Sequence, residues 1–358
     1  MTDPIRYVLA FMLPLIATWV VVPSVARLAI RVGMVDQPKK DRFHTDPTPY
    51  LGGLAVAAGL ALIGAVAASA QRELLIIVAC GFALGAVGFV DDWRSVDPRV
   101  RVALEAAAGA ALWLVGVRAG FFGIAGLDFA LTVGWIVVIT NAVNLLDNMD
   151  GLCSGVIAIS AITFFAIAAQ RGDYLVGSFA LAVAGGSLGF LRHNYPPAKI
   201  FLGDAGSFML GFFLGSLALK LDLVGPSGPV RAGIVLLIVG VPLFDTLLVI
   251  IARLREGRIV YRGSTDHSSH RLATHGLSSR GVALAIYVAQ IGLCGVALLL
   301  AHAPTEVTAV TLIALVALTA VLMLVFLRMP HPMPAADGEA TLVILSDTPE
   351  ARSTRISP

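Results

Sequence analysis

The stretch NLLDNMDGLCSG, residues 144–155, sets Asn144, Asp147 and Asp150 three residues apart in an otherwise apolar run. On a helix end this spacing, continued back to Asn141, gathers the polar groups on one face. Carboxylates at the edge of a hydrophobic span are costly and mark a cavity that uses them; the alternative is a loop that has slipped into water, with Gly151 allowing the turn. Asp91 and Asp92 follow another apolar run and precede Arg94, Arg99 and Arg101. Adjacent like charges favour a counter-cation, either a divalent metal or a polyphosphate with its metal, although a solvated loop with local ion pairs gives the same pattern. In FLGDAGS, residues 201–207, Asp204 stands before a small-residue turn and a new apolar run. It can cap that helix, or hold Mg²⁺ while the free N–H groups of the helix start meet phosphate oxygens. Phe201 can stack on a base or serve as an interfacial anchor. His267, His270 and His275 match no zinc spacing, lack a cysteine partner and lie beside Arg262 and Arg271. An anion such as a sugar diphosphate or a lipid phosphate suits them better.

Carboxylates for a hard cation, together with helix starts and basic side chains for phosphates, imply phosphoryl transfer between a soluble and a lipidic substrate. Such chemistry is mostly positioning and charge neutralisation. The elements that must hold these groups are membrane spans. Of the 358 residues 58% are hydrophobic and 13% charged, with a mean hydropathy of +0.88, against about 25% charged in soluble domains. Apolar runs near 5–31, 51–70, 74–90, 102–117, 129–143, 153–169, 174–191, 206–220, 232–252, 281–301 and 306–327 predict an all-α polytopic membrane protein of about eleven helices, ten if a boundary is wrong. The first run is too long for a signal-peptide core and reads as a retained span. With the N-terminus outside, nineteen Lys and Arg fall on the inner side and six on the outer, which makes the inner side cytoplasmic. All the polar stretches, 36–53, 91–101, 141–151, 193–207 and 262–272, then lie on that side. Residues 1–328 read as one membrane domain and 329–358 as a disordered cytoplasmic tail rich in Pro, Ala, Ser and Thr. A net charge of +2 points to no nucleic acid. Cys80, Cys153 and Cys294 form no CxxC pair and give no disulfide or metal framework. The rival reading is a secondary transporter with intramembrane carboxylates; it predicts polar groups near mid-membrane, and the absence of an obvious internal repeat weighs against it.

The stretches DQPKKDRFHTDPTPYLGG, DDWRSVDPRVR, NAVNLLDNMDGL, PAKIFLGDAGS, PLFDTLLVIIARLREG and HSSHRL, in this order, resemble the polyprenyl-phosphate N-acetylhexosamine-1-phosphate transferases over Asp36 to Leu272. The resemblance implies a phosphoglycosyl transferase at the inner (plasma) membrane with a cytoplasmic active site. It would move HexNAc-1-phosphate from a UDP-sugar to polyprenyl phosphate, release UMP, and begin a cell-wall or surface polysaccharide. The branch it is nearest to uses UDP-GlcNAc; the branch that takes UDP-MurNAc-pentapeptide usually carries three His followed by Phe-Glu, where this chain has HSSHRL. Carried over by position, Asp204 with Asn144 would bind Mg²⁺, with Mn²⁺ as an alternative. Asp91 and Asp92 would position or deprotonate the lipid phosphate, and Asp147 would join them as catalytic. Asp150 and Phe201 would hold the uracil with help from Asn194. Arg101, where the family usually has Lys, would contact the pyrophosphate, and His267, His270 and Arg271 would bind the sugar diphosphate. Members often dimerise, so a homodimer is expected. Three departures stand out: Asn148 for the Gly of DGxDG, Ser269 for a His of HxHH, and Glu105 where Gln is common.

Overall fold

The computed structural model describes residues 3–36, 47–67, 71–121, 123–221, 228–258 and 265–330. The expected tail lies, past Pro330, outside the described residues, as do residues 37–46 of the first polar stretch and Arg262. Thirteen helices are present among the described residues: α1 (Asp3–Val32), α2 (Gly52–Ala67), α3 (Arg72–Trp93), α4 (Pro98–Leu114), α5 (Ala125–Leu146), α6 (Leu152–Gln170), α7 (Tyr174–Asn194), α8 (Gly203–Lys220), α9 (Gly228–Ile238), α10 (Gly240–Arg255), α11 (Ser268–Thr274), α12 (Ser279–Leu300) and α13 (Thr305–Arg328). A two-residue antiparallel ribbon, β1 (Val35–Asp36) with β2 (Thr48–Pro49), joins α1 to α2. The fold is the all-α membrane bundle that composition and run length require.

Ten of the eleven predicted runs fall on one helix each, and 232–252 falls on α9 and α10. By length and composition alone, seven helices among the described residues can cross a membrane, eight if α9 and α10 form one broken span. Burial sets α8 and α4 apart from a plain lipid-facing span. α8 is packed against protein from Ala205 to Ala218, so its interior need not match a bilayer's thickness or apolarity, and it carries Asp204 and Lys220 at its ends. α4 spends its first turns on Arg99 and Arg101 and buries Glu105. The run 232–252 is not continuous: α9 and α10 meet at 85° around Val239.

That break frees backbone groups which no water reaches inside a bundle. Gln290 of α12, fully buried, donates to the Ile238 carbonyl at 2.7 Å and accepts from the Val241 amide at 3.2 Å. The Ser160 hydroxyl donates to the same carbonyl at 2.7 Å. Local caps end the other helices where the sequence provides them: Asp97 accepts from the Arg99 amide with Pro98 at the first helical position of α4, Asp173 caps α7 and Ser278 caps α12. α13 is the most open helix, with Val310, Ile313 and Val316 each about two-thirds exposed, as befits a helix apolar on all sides. Cys80, Cys153 and Cys294 are free thiols.

Candidate active site

Successive helices run up and down, so the ends of α3, α5 and α7 and the starts of α4, α6 and α8 share one end of the bundle. The acidic residues collect there. Asp91 and Asp92 occupy the last turn of α3, Asn144 the last turn of α5, and Asp204 the first turn of α8. The transporter reading's mid-membrane polar groups are not what this arrangement shows.

Asp204 is half-buried and does not cap its own helix. Asp92 does so from α3: its Oδ1 accepts from the Asp204 amide at 2.9 Å and its Oδ2 from the Ala205 amide at 3.1 Å. Both oxygens are thereby turned to the positive end of α8. Asp92 holds the backbone of Asp204, so the Asp204 carboxylate is not spent on its own helix start. The approach of α3 to α8 needs Gly88, where an added Cβ would lie 2.2 Å from the Asp204 carbonyl oxygen.

The Asp204 carboxylate accepts from Asn144 Nδ2 at 2.7 Å, and that amide nitrogen also reaches Ser207 Oγ at 2.9 Å. Asn144 therefore spends its nitrogen on Asp204, and its oxygen is the atom available to a cation. Arg101 lies 2.5 Å from Asp91 and 3.8 Å from Asp204. The other Asp91 oxygen accepts from the Val96 amide at 2.6 Å, so Asp91 ties the α3–α4 turn to Arg101. One helical turn beyond Arg101, buried Glu105 accepts from Asn141.

Asp147 follows α5 and is half-buried between these groups. Burial first, then the carboxylates of Asp204, Asp92 and Asp150, hold its pKa well above the ordinary carboxylate range, partly offset by the Gly203 amide. Carboxylates this close together favour a positive charge between them, and Arg101 supplies one to Asp91 and Asp204. Among the described residues no three His, Cys, Asp or Glu side chains form a ready-made metal site. The donor set still fits a hard divalent cation, because Mg²⁺ takes one or two carboxylates and completes its shell with water and substrate phosphate oxygens. Asp204 and the Asn144 oxygen fit that pattern.

Asp150, Asn194 and Phe201, the residues expected to hold the uracil, gather around the segment 195–202. Gly151, at φ 74°, makes the left-handed turn into α6, and Asn194 is buried against it, accepting from the Gly151 amide and donating to the Ile200 carbonyl, each at 2.9 Å. Asp150 accepts from the Ala198 amide at 2.9 Å. Phe201 is half-buried, and its backbone pairs with Pro49 and Gly52, which brings the PTPYLGG stretch to the same end. Asn194 thus shapes the segment around Asp150 and Phe201 and presents no open face itself.

The histidine stretch arrives on α11. His267 Nδ1 bonds Asp245 at 2.7 Å, and the other Asp245 oxygen accepts from the Ser268 amide at 2.7 Å and its hydroxyl at 2.6 Å. Asp245 is buried in α10 and carries no role in the sequence reading, although a carboxylate inside the apolar run 232–252 was the signal for one. His270 is half-buried with its ring centroid 6.0 Å from that of His267. Arg271 is buried and donates to the Asp266, Phe326 and Met329 carbonyls, at 2.8 to 3.0 Å, closing the end of α13. Its place is structural rather than open to a ligand. Tyr287 of α12, also unassigned by sequence, donates to the Gly151 carbonyl at 2.6 Å.

Fold and site together define a multi-helix membrane protein with a cluster of carboxylates and one arginine at one end of the bundle. The family model for glycosyl transferase family 4 matches residues 74–222. The chain is 35% identical over 295 residues to a Bacillus subtilis protein described as a probable undecaprenyl-phosphate N-acetylglucosaminyl 1-phosphate transferase, covering 79% of this chain and 82% of that one. It is 32% identical to the decaprenyl-phosphate N-acetylglucosaminephosphotransferase of Mycobacterium tuberculosis, covering 76% and 77%. A phospho-N-acetylmuramoyl-pentapeptide-transferase of Acetivibrio thermocellus is 28% identical, covering 80% and 92%. The chain belongs to glycosyl transferase family 4, in the branch of undecaprenyl- and decaprenyl-phosphate GlcNAc-1-phosphate transferases.

Proposed function

We propose that this protein transfers GlcNAc-1-phosphate from UDP-GlcNAc to polyprenyl phosphate and releases UMP, at the cytoplasmic face of the inner (plasma) membrane. The supporting observation is the meeting of Asp91, Asp92, Asp147 and Asp204 with Arg101 at one end of the bundle. GlcNAc is preferred because the Bacillus subtilis and Mycobacterium tuberculosis relatives, at 35% and 32% identity, are named for it, whereas the pentapeptide enzyme is 28% identical.

Bound Mg²⁺, held by Asp204 and Asn144, would neutralise the phosphate charge that develops during transfer. Asp150 and Phe201 hold the uracil, Arg101 meets the pyrophosphate, and His267 and His270 face the sugar diphosphate. The acceptor is a phosphate monoester with a second pKa of about 6, already dianionic at neutral pH. It attacks the β-phosphorus in line, expelling UMP. Asp91 has one oxygen on the Val96 amide and the other on Arg101, which suits a positioner of Arg101 better than a nucleophile or base. UMP production by purified protein from UDP-GlcNAc, polyprenyl phosphate and Mg²⁺ tests the reading; no UMP from any UDP-HexNAc would refute it. A labelled phosphoenzyme formed without lipid acceptor would refute direct attack.

Gly88→Ala is expected to force α3 from α8, at about 1–3 kcal/mol for overpacking, and to lower UMP release at least ~10-fold by moving Asp204. Gly85→Ala, whose added Cβ would meet the Ala205 carbonyl oxygen at 3.3 Å, is the control and should keep most activity. Equal melting temperatures and rates for the two variants would contradict the close approach.

Burial and then His267 lower the His270 pKa from 6.5 to about 4, against the opposing pull of Asp245 and Asp266. His270 is therefore neutral at pH 7 and meets the donor as an N–H hydrogen-bond donor. His270→Gln, which keeps an N–H, should retain several-fold more activity than His270→Ala at pH 7–8. Because the folded pKa lies below the unfolded one, His270 contributes stability fully above pH 6.5 and loses it as pH falls toward 4. Thermal melting of wild type and His270→Gln across pH 4–8 should show the wild type's acid-side slope reduced in the variant.

A further inference from the structure

Two of the three departures from the family pattern touch each other. The Ser269 hydroxyl, fully buried, donates to Asn148 Oδ1 at 2.5 Å across 121 residues of sequence. At its other end the Asn148 amide donates to the Leu145 carbonyl at 2.7 Å, one of the carbonyls that the C-terminus of α5 leaves without a helical partner. The chain of bonds runs from the end of α5 through Asn148 into α11. Asn148 sits between Asp147 and Asp150, and Ser269 between His267 and His270. One bond thus ties the acidic turn to the histidine helix.

The surrounding contacts explain why this bond matters. Leu272 and Ala273 of α11 pack on a cluster that joins Leu146, Met149, Leu152 and Val156 to Val282 and Ile286 of α12. Apolar packing holds the two segments together but is non-directional, and a seven-residue helix can slide on such a surface. A short hydrogen bond to a residue fixed on α5 sets both its register and its facing. The far side of α11 is fixed separately, by Asp245 on His267 and Ser268.

We propose that Asn148 and Ser269 are a positioning pair that docks the α11 histidines onto the acidic turn, so that both arms close on the same UDP-sugar diphosphate. The inference rests on the donor-binding reading above. It assigns neither residue to the reacting atoms: their loss should weaken capture of the UDP-sugar and spare the lipid acceptor.

The experiment compares purified wild type with Ser269→Ala, Asn148→Ala, the double variant and Ser269→Thr. UMP release is followed while UDP-GlcNAc is varied at saturating polyprenyl phosphate, and then the reverse. Each single Ala variant is expected to raise KM for UDP-GlcNAc by about 3- to 10-fold, the range of one neutral hydrogen bond, with KM for the lipid within about twofold of wild type. The double variant should be no worse than the more affected single one, because both remove the same bond. Ser269→Thr, which keeps the hydroxyl, should bring KM back toward wild type. Additive effects, an unmoved KM for UDP-GlcNAc or an equal rise in both KM values would overturn the pair while leaving the function standing. Wild-type protein that releases no UMP from any UDP-HexNAc would overturn both.

Discussion

Asp204→Ala is expected to fold, reach the membrane and release UMP about 10²- to 10³-fold more slowly than wild type, the size of effect seen when a group that stabilises developing charge is removed. Folding should survive because the bonds that fix the start of α8 run from Asp92 to backbone amides, which Ala retains. Stability should even rise slightly. Asp204 lies within reach of Asp91, Asp92 and Asp147, and deleting one of several like charges relieves repulsion. The measurement is UMP release alongside thermal melting in detergent. Near-normal activity would remove Asp204 from the metal assignment, and a melting temperature several degrees lower would show that its carboxylate supports the fold instead.

Asp92 carries the second large effect, for a different reason. Asp92→Ala leaves the Asp204 and Ala205 amides at the start of α8 without their acceptor. The lost cap costs about 1–2 kcal/mol of stability. The larger consequence is displacement of the Asp204 side chain, since a shift of about 1 Å at a reacting centre can cost roughly 10²-fold in rate. Asp92→Asn keeps one acceptor oxygen for those amides and should fall between wild type and Ala in both rate and melting temperature. Were Asp92 the group that takes a proton from the lipid phosphate, Asn and Ala would be equally inactive, because neither can accept one. The ratio of the two rates therefore separates a positioning role from a proton-transfer role.

Much of the site was legible because membrane economics are severe. A polar residue in an oily chain has few uses, so NLLDNMDG, DDWRSVDPRVR and FLGDAGS stood out against their neighbours, and their meeting at one end of the bundle follows from the up-and-down course of the helices between them. Roles were harder to read. Asp204 looked as good a helix cap as a ligand, and only the arrival of Asp92 from α3 showed which residue caps α8. Asn194 and Arg271 have the polarity of ligand-binding residues, yet their partners are backbone carbonyls and amides at the Gly151 turn and the end of α13. Asp245 was visible as a charge in an apolar run, but nothing local says that His267, 22 residues on, is its partner.

The sequence by itself determined the all-α membrane bundle, the helical runs, the polar residues at their ends and the family. These depend on composition, run length and ordered motifs, which are properties of the chain taken in order. Only the tertiary structure decided that 232–252 breaks at 85°, that α8 is an interior helix, that Asp92 holds Asp204, and that Ser269 meets Asn148. Each of these depends on which distant group supplies a buried backbone or side-chain atom with its partner, and hydrogen-bond partners separated by dozens of residues leave no periodicity to read.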